Sequence, residues 1–446
     1  MVGGEEKKKY INRLKSFLPL RTKIDEAYKK SIEAIQMGRP VAWAMINAWY
    51  GDPILRAMEL ETVYPENFGA ICAAEGVAES YLNRADADGF PSHLCGYARN
   101  CFGYVSRMTK ELKGEIPPEA PVGGMPKPIF LLSSNIGCDA RYKWFQALGR
   151  YLDVPVWVLD MPIPGVKELF RDGVYERCIH FIVEELKEFV HFLERILGVK
   201  MDWDRLEKTV YDIEEMNRVW FEINELRKAI PCPMHSRDFW SAMPPSLFLA
   251  GKPAETLILY QEMWKEVKER VDHKVSSIHT EEKFRLLFSE LPPWHSLSVF
   301  ENMAGRGWNF VIESWGYHPP PPLDLSGISD PLEHIARFSF HFHTAYFKDA
   351  LEEGEYYGYM GYPLLKFARE YRCDGAFFHL PLTCRSTSTH QLYLQEKMKQ
   401  KLKIPSMIVS GDIVDLRLFN PAEVIKRMEV FEESMESYRK LREERS

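Results

Sequence analysis

Apolar runs alternate with helix-like segments in the first half of the chain. PVAWAMIN at 40–47, PIFLLSSN at 128–135 and VPVWVLDM at 154–161 are rich in residues that favour strands, and each run predicts a buried strand. Between the last two, the apolar residues of ARYKWFQALGRYL recur at helical spacing. The order strand, helix, strand predicts a βαβ unit with a right-handed connection.

The pattern changes twice further along the chain. From about residue 168 to 275 the apolar positions keep a helical period without a convincing strand, which predicts a block of helices. The strand-like pattern then returns and predicts a second α/β unit, in the runs FRLLFSEL, WNFVIESW, DGAFFHL and PSMIVSG. HPPPP at 318–322 predicts an extended loop, and a closing helix is predicted from Pro421 with Asn420 as its cap.

These patterns divide the chain into four predicted parts. The charged N-terminal residues, including YINRLKSFL, have a loose helical period and predict a helical arm. The length of 446 residues is sufficient for more than one hydrophobic core. We therefore predict a helical arm at 1–37, a first α/β domain at 38–167, a helical linker block at 168–278 and a second α/β domain at 279–446.

Composition narrows the class of protein. Hydrophobic residues make up 46% and charged residues 27% of the chain, as in globular proteins. No segment approaches the roughly 18 consecutive apolar residues of a membrane span, and no signal peptide is readable. We therefore expect a cytoplasmic protein without a membrane partner. The net charge of −7 argues against nucleic acid as the main partner.

Several familiar catalytic motifs are missing from the sequence. It has no G-x-S-x-G, H-E-x-x-H or C-x-x-C motif, and no G-x-G-x-x-G after a strand. The Gly251–Lys252 pair is followed by Pro253 and lacks a glycine loop, so we expect no ATP hydrolysis by this chain alone. His341 and His343 would form an H-x-H metal pair if FHFHTAYF were a strand, although such isolated pairs are more often structural.

Three of the eight cysteines lie in predicted loops. Cys138 follows PIFLLSSN and Cys384 follows DGAFFHL, so both lie beyond the carboxyl ends of strands, where open α/β sheets bind ligands. Cys95 is followed by Gly96, which permits a tight turn, and Arg99 brings positive charge nearby. The three thiols can converge on a metal only if the two α/β units face each other.

The alternative is that cysteines fill the core as small hydrophobic residues. It suits Cys72, Cys178 and Cys373, which lie within helical or strand patterns. Spacing by itself does not decide between this role and a metal site, because the three loop cysteines form no compact ligand motif.

Four segments carry a resemblance to a known family. HLCGYAR, NIGCDARYKW, EYRCDGAFFHLPLTC and IPSMIVSGDIVDLRLFNPAEV, in this order and spacing, resemble the 2-hydroxyacyl-CoA dehydratase and benzoyl-CoA reductase family. The resemblance covers most of the chain from about residue 40. The segment FRLLFSELPPWHSLSVFENMAGRGWNFVIESW looks more like the branch that reduces aromatic rings, so benzoyl-CoA reductase is the favoured branch.

The resemblance implies a fold, a cofactor and partners. The fold is two Rossmann-like, doubly wound parallel-sheet domains, with one [4Fe–4S] cluster held by Cys95, Cys138 and Cys384. The implied partners are a homologous iron–sulfur subunit, an ATP-hydrolysing iron–sulfur activator that donates electrons, and an acyl-CoA substrate. The implied function is a subunit of an ATP-activated, radical-type benzoyl-CoA reductase. Its alternatives are dehydration of a 2-hydroxyacyl-CoA and a non-catalytic role in electron relay or assembly.

Several other residues have roles that the sequence leaves open. Four cations flank the cysteines and either tune the cluster and bind CoA phosphates or are ordinary surface charges: Arg99, Arg141, Lys143 and Arg385. Four tryptophans belong either to a dry cleft or to the core: Trp43, Trp49, Trp144 and Trp294. Three glutamates lie where a substrate-binding carboxylate is expected, but none is assigned: Glu59, Glu61 and Glu66.

Overall fold

The chain folds into two parallel sheets surrounded by helices. The computed structural model describes residues 9–46, 49–248, 253–289, 291–313, 318–355 and 358–444. The strands of the first sheet are β1 Val41–Ala44, β2 Glu61–Val63, β3 Phe130–Ser134 and β4 Val156–Leu159. Those of the second sheet are β5 Phe284–Ser289, β6 Trp308–Ile312, β7 Gly375–Pro381 and β8 Ser406–Gly411.

Helices lie before, between and after these strands. Those up to the end of the first sheet are α1 Phe17–Gln36, α2 Asp52–Ala57, α3 Pro65–Ala74, α4 Ala78–Ala87, α5 Gly96–Ser106 and α6 Ala140–Leu152. Those between the sheets are α7 Val166–Leu169, α8 Val174–Leu197, α9 Trp203–Leu226, α10 Ser236–Ala242, α11 Pro244–Phe248 and α12 Pro253–Asp272. The remainder are α13 Val299–Gly305, α14 Pro331–Thr344, α15 Phe347–Glu352, α16 Gly358–Glu370, α17 Arg385–Ser388, α18 Gln391–Lys397 and α19 Pro421–Glu443.

The two sheets share one topology. The first has the strand order β2-β1-β3-β4 and the second has β6-β5-β7-β8, with every pairing parallel. In each sheet the order therefore reverses between the first and third strands in sequence. Such a reversal opens a crevice at the carboxyl ends of those strands, which is where open α/β sheets bind ligands. The prediction of an α/β protein with two Rossmann-like parallel sheets is confirmed.

Burial explains why the strands could be read from the sequence. Every residue of β1, β3, β5 and β6 is buried, as expected for parallel sheets covered on both faces. Such strands appear as continuous apolar runs, and seven of the eight strands in the described part of the chain coincide with predicted runs. The exception is β2, whose three residues Glu-Thr-Val are too few to form a pattern.

The predicted helical segments also form. Helix α6 has the predicted bounds, and the long helices α8, α9 and α12 occupy the segment between the sheets. Asn420 caps α19 by accepting a hydrogen bond from the Ala422 backbone N–H. The limits of the four predicted parts stay a prediction.

The N-terminal arm is only partly helical, so the prediction of helix through YINRLKSFL is wrong. Helix α1 begins at Phe17. Before it, the backbone N–H groups of Tyr10 and Ile11 donate to the Glu301 carboxylate at 2.7 and 3.0 Å, and Asn12 N–H donates to Ser277 O at 2.9 Å. These long-range bonds take the donors that a helical turn would otherwise use. Residues 1–8 lie outside the described part of the chain.

Candidate functional site

Cys138 lies in the turn that connects β3 to α6. Its backbone N–H donates to Ile136 O at 3.1 Å, and Gly137 before it has φ +82°, a conformation that glycine adopts at little cost. The thiol is half-buried. The turn follows the carboxyl end of β3, beside the point where the strand order of the first sheet reverses.

Cys384 lies in the matching turn of the second sheet. Strand β7 ends at Pro381, whose carbonyl accepts a hydrogen bond from Cys384 N–H at 3.1 Å, and Cys384 is the N-cap residue of α17. Its thiol is half-buried, with Ser386 Oγ at 3.5 Å from Sγ. Since β3 and β7 occupy the same place in their sheets, the two thiols lie at equivalent positions.

Cys95 is held against the second sheet by the residue that follows it. Cys95 is the N-cap residue of α5, and Gly96 N–H donates to Thr383 Oγ1 at 3.1 Å, next to Cys384. A Cβ at Gly96 would lie 2.6 Å from Asp412 Oδ1, so a side chain there would separate the two surfaces. The Thr383 hydroxyl donates in turn to the Asp412 carboxylate. The turn of Cys95 therefore lies directly beside that of Cys384.

The thiols of Cys95 and Cys138 each lie close enough to neighbouring thiols for their ionisation to be affected. Burial, followed by the charges of Cys384 and Cys138, raises the pKa of Cys95 well above its usual range. Burial also raises the pKa of Cys138, with Glu66 and Cys384 adding to the effect and Arg141 opposing it. Thiolates that repel one another ionise together only when a cation shares the site. The arrangement is thus suited to a positively charged metal centre.

The remaining cysteines belong to the interior. Cys72, Cys101, Cys178, Cys232 and Cys373 are buried. Burial raises the pKa of Cys101 and Cys373 far above the usual range of a thiol. Cys373 also precedes β7, at the amino end of the strand, so its turn lies at the opposite edge of the sheet from Cys384.

Three of the four cations beside the cysteines have carboxylate partners. Arg99 is fully buried and binds Asp86 and Asp415. Two further ion pairs join Arg385 to Asp139, across the turns of Cys384 and Cys138, and Arg141 to Glu66. The ammonium group of Lys143 lies 5.1 Å from the ring centre of Tyr142. The alternative that Arg99 is an ordinary surface charge is therefore wrong.

Glu66 is the one member of the unassigned glutamates that reaches the site. It lies in the first turn of α3, where Oε1 accepts from Arg141 Nε at 3.1 Å and Oε2 accepts from Ile46 N–H at 2.9 Å. Glu59 instead pairs with Arg205 at the surface. The sequence did contain a signal for the position of Glu66, because a proline such as Pro65 is favoured at the first position of a helix. The strand before it, β2, was too short to be recognised.

A cavity of about 500 Å³ lies near the cysteine turns, although none of the three cysteines lines it. Its lining includes Glu66 in α3, His295 in the segment after β5, and Tyr97, two residues beyond Cys95. The wall is largely apolar and aromatic, with Tyr97, Trp240 and Trp294 among its residues, and Trp294 Nε1 donates to Tyr97 Oη at 2.6 Å. A pocket of this size and lining can enclose a small organic group and exclude water from it.

Only one of the four candidate tryptophans lines this cavity. Trp43, Trp49 and Trp144 are buried in the core, and Trp43 Nε1 donates to Pro126 O at 2.8 Å. Trp294 lies on the cavity wall. The core role expected of large aromatic side chains thus holds for the other three.

The H-x-H hypothesis is wrong, because FHFHTAYF is not a strand. His341 and His343 lie in α14, where residues two apart do not face each other. His341 Nε2 contacts Pro321 O at 2.9 Å, and burial lowers the pKa of His343 to about 3. Within the described ranges, no three His, Cys, Asp or Glu side chains are positioned to hold a single metal ion.

None of the helices formed by the described residues is both long and apolar enough to cross a membrane.

Comparisons with known proteins bear on the class of enzyme. The family described as 2-hydroxyglutaryl-CoA dehydratase, D-component, matches residues 52–435. The (R)-2-hydroxyisocaproyl-CoA dehydratase alpha subunit of Clostridioides difficile is 26% identical over 425 residues, which cover 93% of this chain and 95% of that protein. The (R)-phenyllactyl-CoA dehydratase alpha subunit of Clostridium sporogenes is 24% identical over 408 residues, covering 91% and 92%. A benzoyl-CoA reductase subunit of Thauera aromatica is 25% identical over 357 residues, covering 78% of each chain.

Proposed function

Because this chain belongs to the 2-hydroxyglutaryl-CoA dehydratase D-component family, we propose that it is a subunit of an enzyme that removes water from a 2-hydroxyacyl-CoA. The observation that carries the proposal is that the turns of three half-buried thiols contact one another near a partly apolar cavity, through the Gly96–Thr383 hydrogen bond and the Arg385–Asp139 ion pair. In this proposal Cys95, Cys138 and Cys384 together hold one [4Fe–4S] cluster.

The donor set fits such a cluster. Thiolates are the usual protein ligands of iron–sulfur clusters, and each binds a different iron, so the sulfurs need not meet at the single point that one metal ion requires. When bound through three thiolates, the cluster supplies low-potential electrons and leaves one iron open to an outside ligand. The repulsion among the thiols at Cys95 and Cys138 is relieved by the positive charge of the irons.

Glu66 is the residue proposed to move a proton. Dehydration breaks a carbon–oxygen bond and a neighbouring carbon–hydrogen bond, and it therefore needs a group that accepts the released proton. The Glu66 carboxylate lines the cavity and lies near Cys138. Arg141 and the Ile46 N–H hold its two oxygens in a fixed orientation. The cavity wall keeps bulk water away from the reacting carbons, which limits side reactions.

Benzoyl-CoA reduction is the second candidate. Two observations favour it: the similarity to a subunit of a benzoyl-CoA reductase and the aromatic side chains on the cavity wall. The segment that led the sequence interpretation towards this branch supplies Leu291, Trp294 and His295 to the wall. Dehydration has the better support, because the family description and four of the five curated relatives are dehydratases.

Product analysis separates the two candidates. The reconstituted complex is incubated anaerobically with a 2-hydroxyacyl-CoA and, separately, with benzoyl-CoA. Formation of an enoyl-CoA supports dehydration, whereas formation of a cyclic dienoyl thioester supports ring reduction and contradicts dehydration. Turnover of neither thioester, together with an iron-free chain, would remove the proposed function.

The proposal includes partners. The relatives are named as subunits of larger enzymes, so we propose that this chain pairs with a homologous iron–sulfur subunit. Electrons would come from a separate iron–sulfur activator that hydrolyses ATP. This division of labour agrees with a sequence in which no phosphate-binding loop is readable. The Gly251–Lys252 pair itself lies outside the described residues.

The isolated chain is expected to hydrolyse no ATP and to show no turnover with a mild electron donor. The reason is that it carries neither a nucleotide loop nor a second cluster motif. Phosphate release measured with the purified chain, with and without its activator, tests this expectation. ATP hydrolysis by the chain alone, abolished by a substitution within it, would contradict the assignment.

A further inference from the structure

Three guanidinium groups line the cavity, together with the carboxylates of Asp25, Glu66 and Glu75. Arg13 lies just before α1, Arg21 lies within α1, and Arg237 lies in α10. We call these three arginines the arginine wall. Arg237 is distant from the other two in the sequence, and only the docking of the N-terminal arm onto α10 brings it to the same cavity.

The carboxylate of Asp238 forms an ion pair with only one of these guanidinium groups. Asp238 is fully buried, binds the Arg13 guanidinium and accepts from Leu14 N–H at 3.1 Å. Arg13 Nη2 also donates to Ser241 Oγ at 3.0 Å. Arg237 donates from Nη1 to Leu297 O at 2.5 Å, and it forms no ion pair with the described carboxylates. Among the described residues, the guanidinium groups of Arg21 and Arg237 therefore have no carboxylate within ion-pair distance.

The pKa of Arg237 reflects its burial and the charges around it. Burial, followed by the charge of Arg13, lowers this pKa to about 10, and the charges of Glu301 and Asp238 act in the opposite direction. Two guanidinium groups close together in a partly buried place repel each other, and charges in such places are normally paired with an opposite charge. Arg21 is exposed at the cavity, so it leaves the wall open to a ligand from solvent.

We propose that the arginine wall binds a phosphate group of the CoA portion of the substrate. This inference rests on the proposed function, since it takes the ligand to be a CoA thioester. Guanidinium groups bind phosphate through two parallel hydrogen bonds, which a single ammonium group cannot make. The apolar wall beside it, which includes Trp240 and Leu291, suits the uncharged arm that links the phosphates to the thioester.

The cations beside the cysteines are poor candidates for the same task. Arg99, Arg141 and Arg385 are each held by a carboxylate. Binding a phosphate there would break an existing ion pair, and for the buried Arg99 this would leave a charge without a partner. Binding a phosphate at Arg21 or Arg237 breaks no ion pair among the described residues. The phosphate site is therefore assigned away from the cysteine turns.

The test is calorimetric titration of the full chain with coenzyme A. Arg21→Gln and Arg237→Gln are each expected to weaken binding by about ten- to a hundredfold, because each removes a hydrogen bond from a charged group to the phosphate. Binding of pantetheine, which lacks the phosphates, is expected to stay the same in both variants. Lys29→Gln is the matched control, since it removes one exposed positive charge from α1 outside the cavity. Arg21 is exposed, so its variant is expected to fold even if the Arg237 variant does not.

Two results would overturn the inference. The first is unchanged coenzyme A affinity in Arg21→Gln. The second is a variant that loses affinity for a free dicarboxylate such as glutarate but keeps affinity for coenzyme A, which would make the wall a subsite for an acidic acyl group. Neither readout needs a cluster or turnover. If only this inference fails, the enzyme still carries iron and is active. If only the proposed function fails, coenzyme A still binds, and its affinity still depends on the arginines.

Discussion

Serine at position 384 is expected to remove most of the iron from this chain, and serine at Cys95 or Cys138 is expected to do the same. A hydroxyl is close to a thiol in size but is a hard and poor ligand for an iron–sulfur cluster. Loss of one of three thiolates leaves too few ligands to retain it. Anaerobic iron analysis should fall from about four atoms per chain to a small fraction of that value, and the cluster's EPR signal should disappear.

Two neighbouring cysteines provide matched controls. Cys101 lies in the same helix that Cys95 caps, and Cys373 precedes the same strand that Cys384 follows. Both are buried, so Cys101→Ser and Cys373→Ser are expected to keep the iron and the EPR signal while lowering stability, because each buries a hydroxyl. Full iron occupancy in Cys384→Ser would contradict the proposed site, since it would remove the ligand from the second sheet.

Glutamine at position 66 is expected to lower kcat by about 10²–10⁴-fold, the usual contribution of a general base. Glutamine keeps the size of the side chain but has one acceptor oxygen, so it can accept from either Arg141 or the Ile46 N–H and not from both. It accepts no proton. Iron content and coenzyme A affinity should therefore stay close to those of the unmodified chain. Steady-state kinetics of the reconstituted complex, together with iron analysis, tests this prediction.

Glu59→Gln is the control for the Glu66 variant. Glu59 forms a surface ion pair with Arg205, and such pairs contribute little to stability, so activity should be unchanged. Glu66 would be excluded as the base if its glutamine variant kept full kcat. Iron loss in that variant would instead show that the carboxylate supports the turn of Cys138 through Arg141, and would assign it a structural role.

Much of the fold was readable from the sequence because the determinants are local. Buried parallel strands are continuous apolar runs, and long helices on the surface of a core repeat their apolar residues at a regular period. Seven strands, helix α6 and the cap of α19 therefore followed from pattern. β2 and the extended stretch before α1 did not, because one is three residues long and the other is held by bonds to Glu301 and Ser277.

The setting of the candidate cysteines was also readable, for a topological reason. A thiol that follows a parallel strand lies at the carboxyl edge of the sheet whatever the rest of the chain does, and this holds for Cys138 and Cys384. The role of Cys95 depended on a resemblance. Its place beside Cys384 is decided by the contact of Gly96 with Thr383 and Asp412, which no local pattern encodes.

The partners of the charged residues were decided by tertiary structure alone. The sequence by itself determined where most strands and helices lie, since these depend on the spacing of nearby residues. It did not determine that Arg99 is buried against Asp415, or that Arg13 and Arg237 lie side by side at one cavity. Ion pairs and cavity walls join residues hundreds of positions apart. They form only when separate elements pack, so their chemistry follows from the packing and not from the order of residues along the chain.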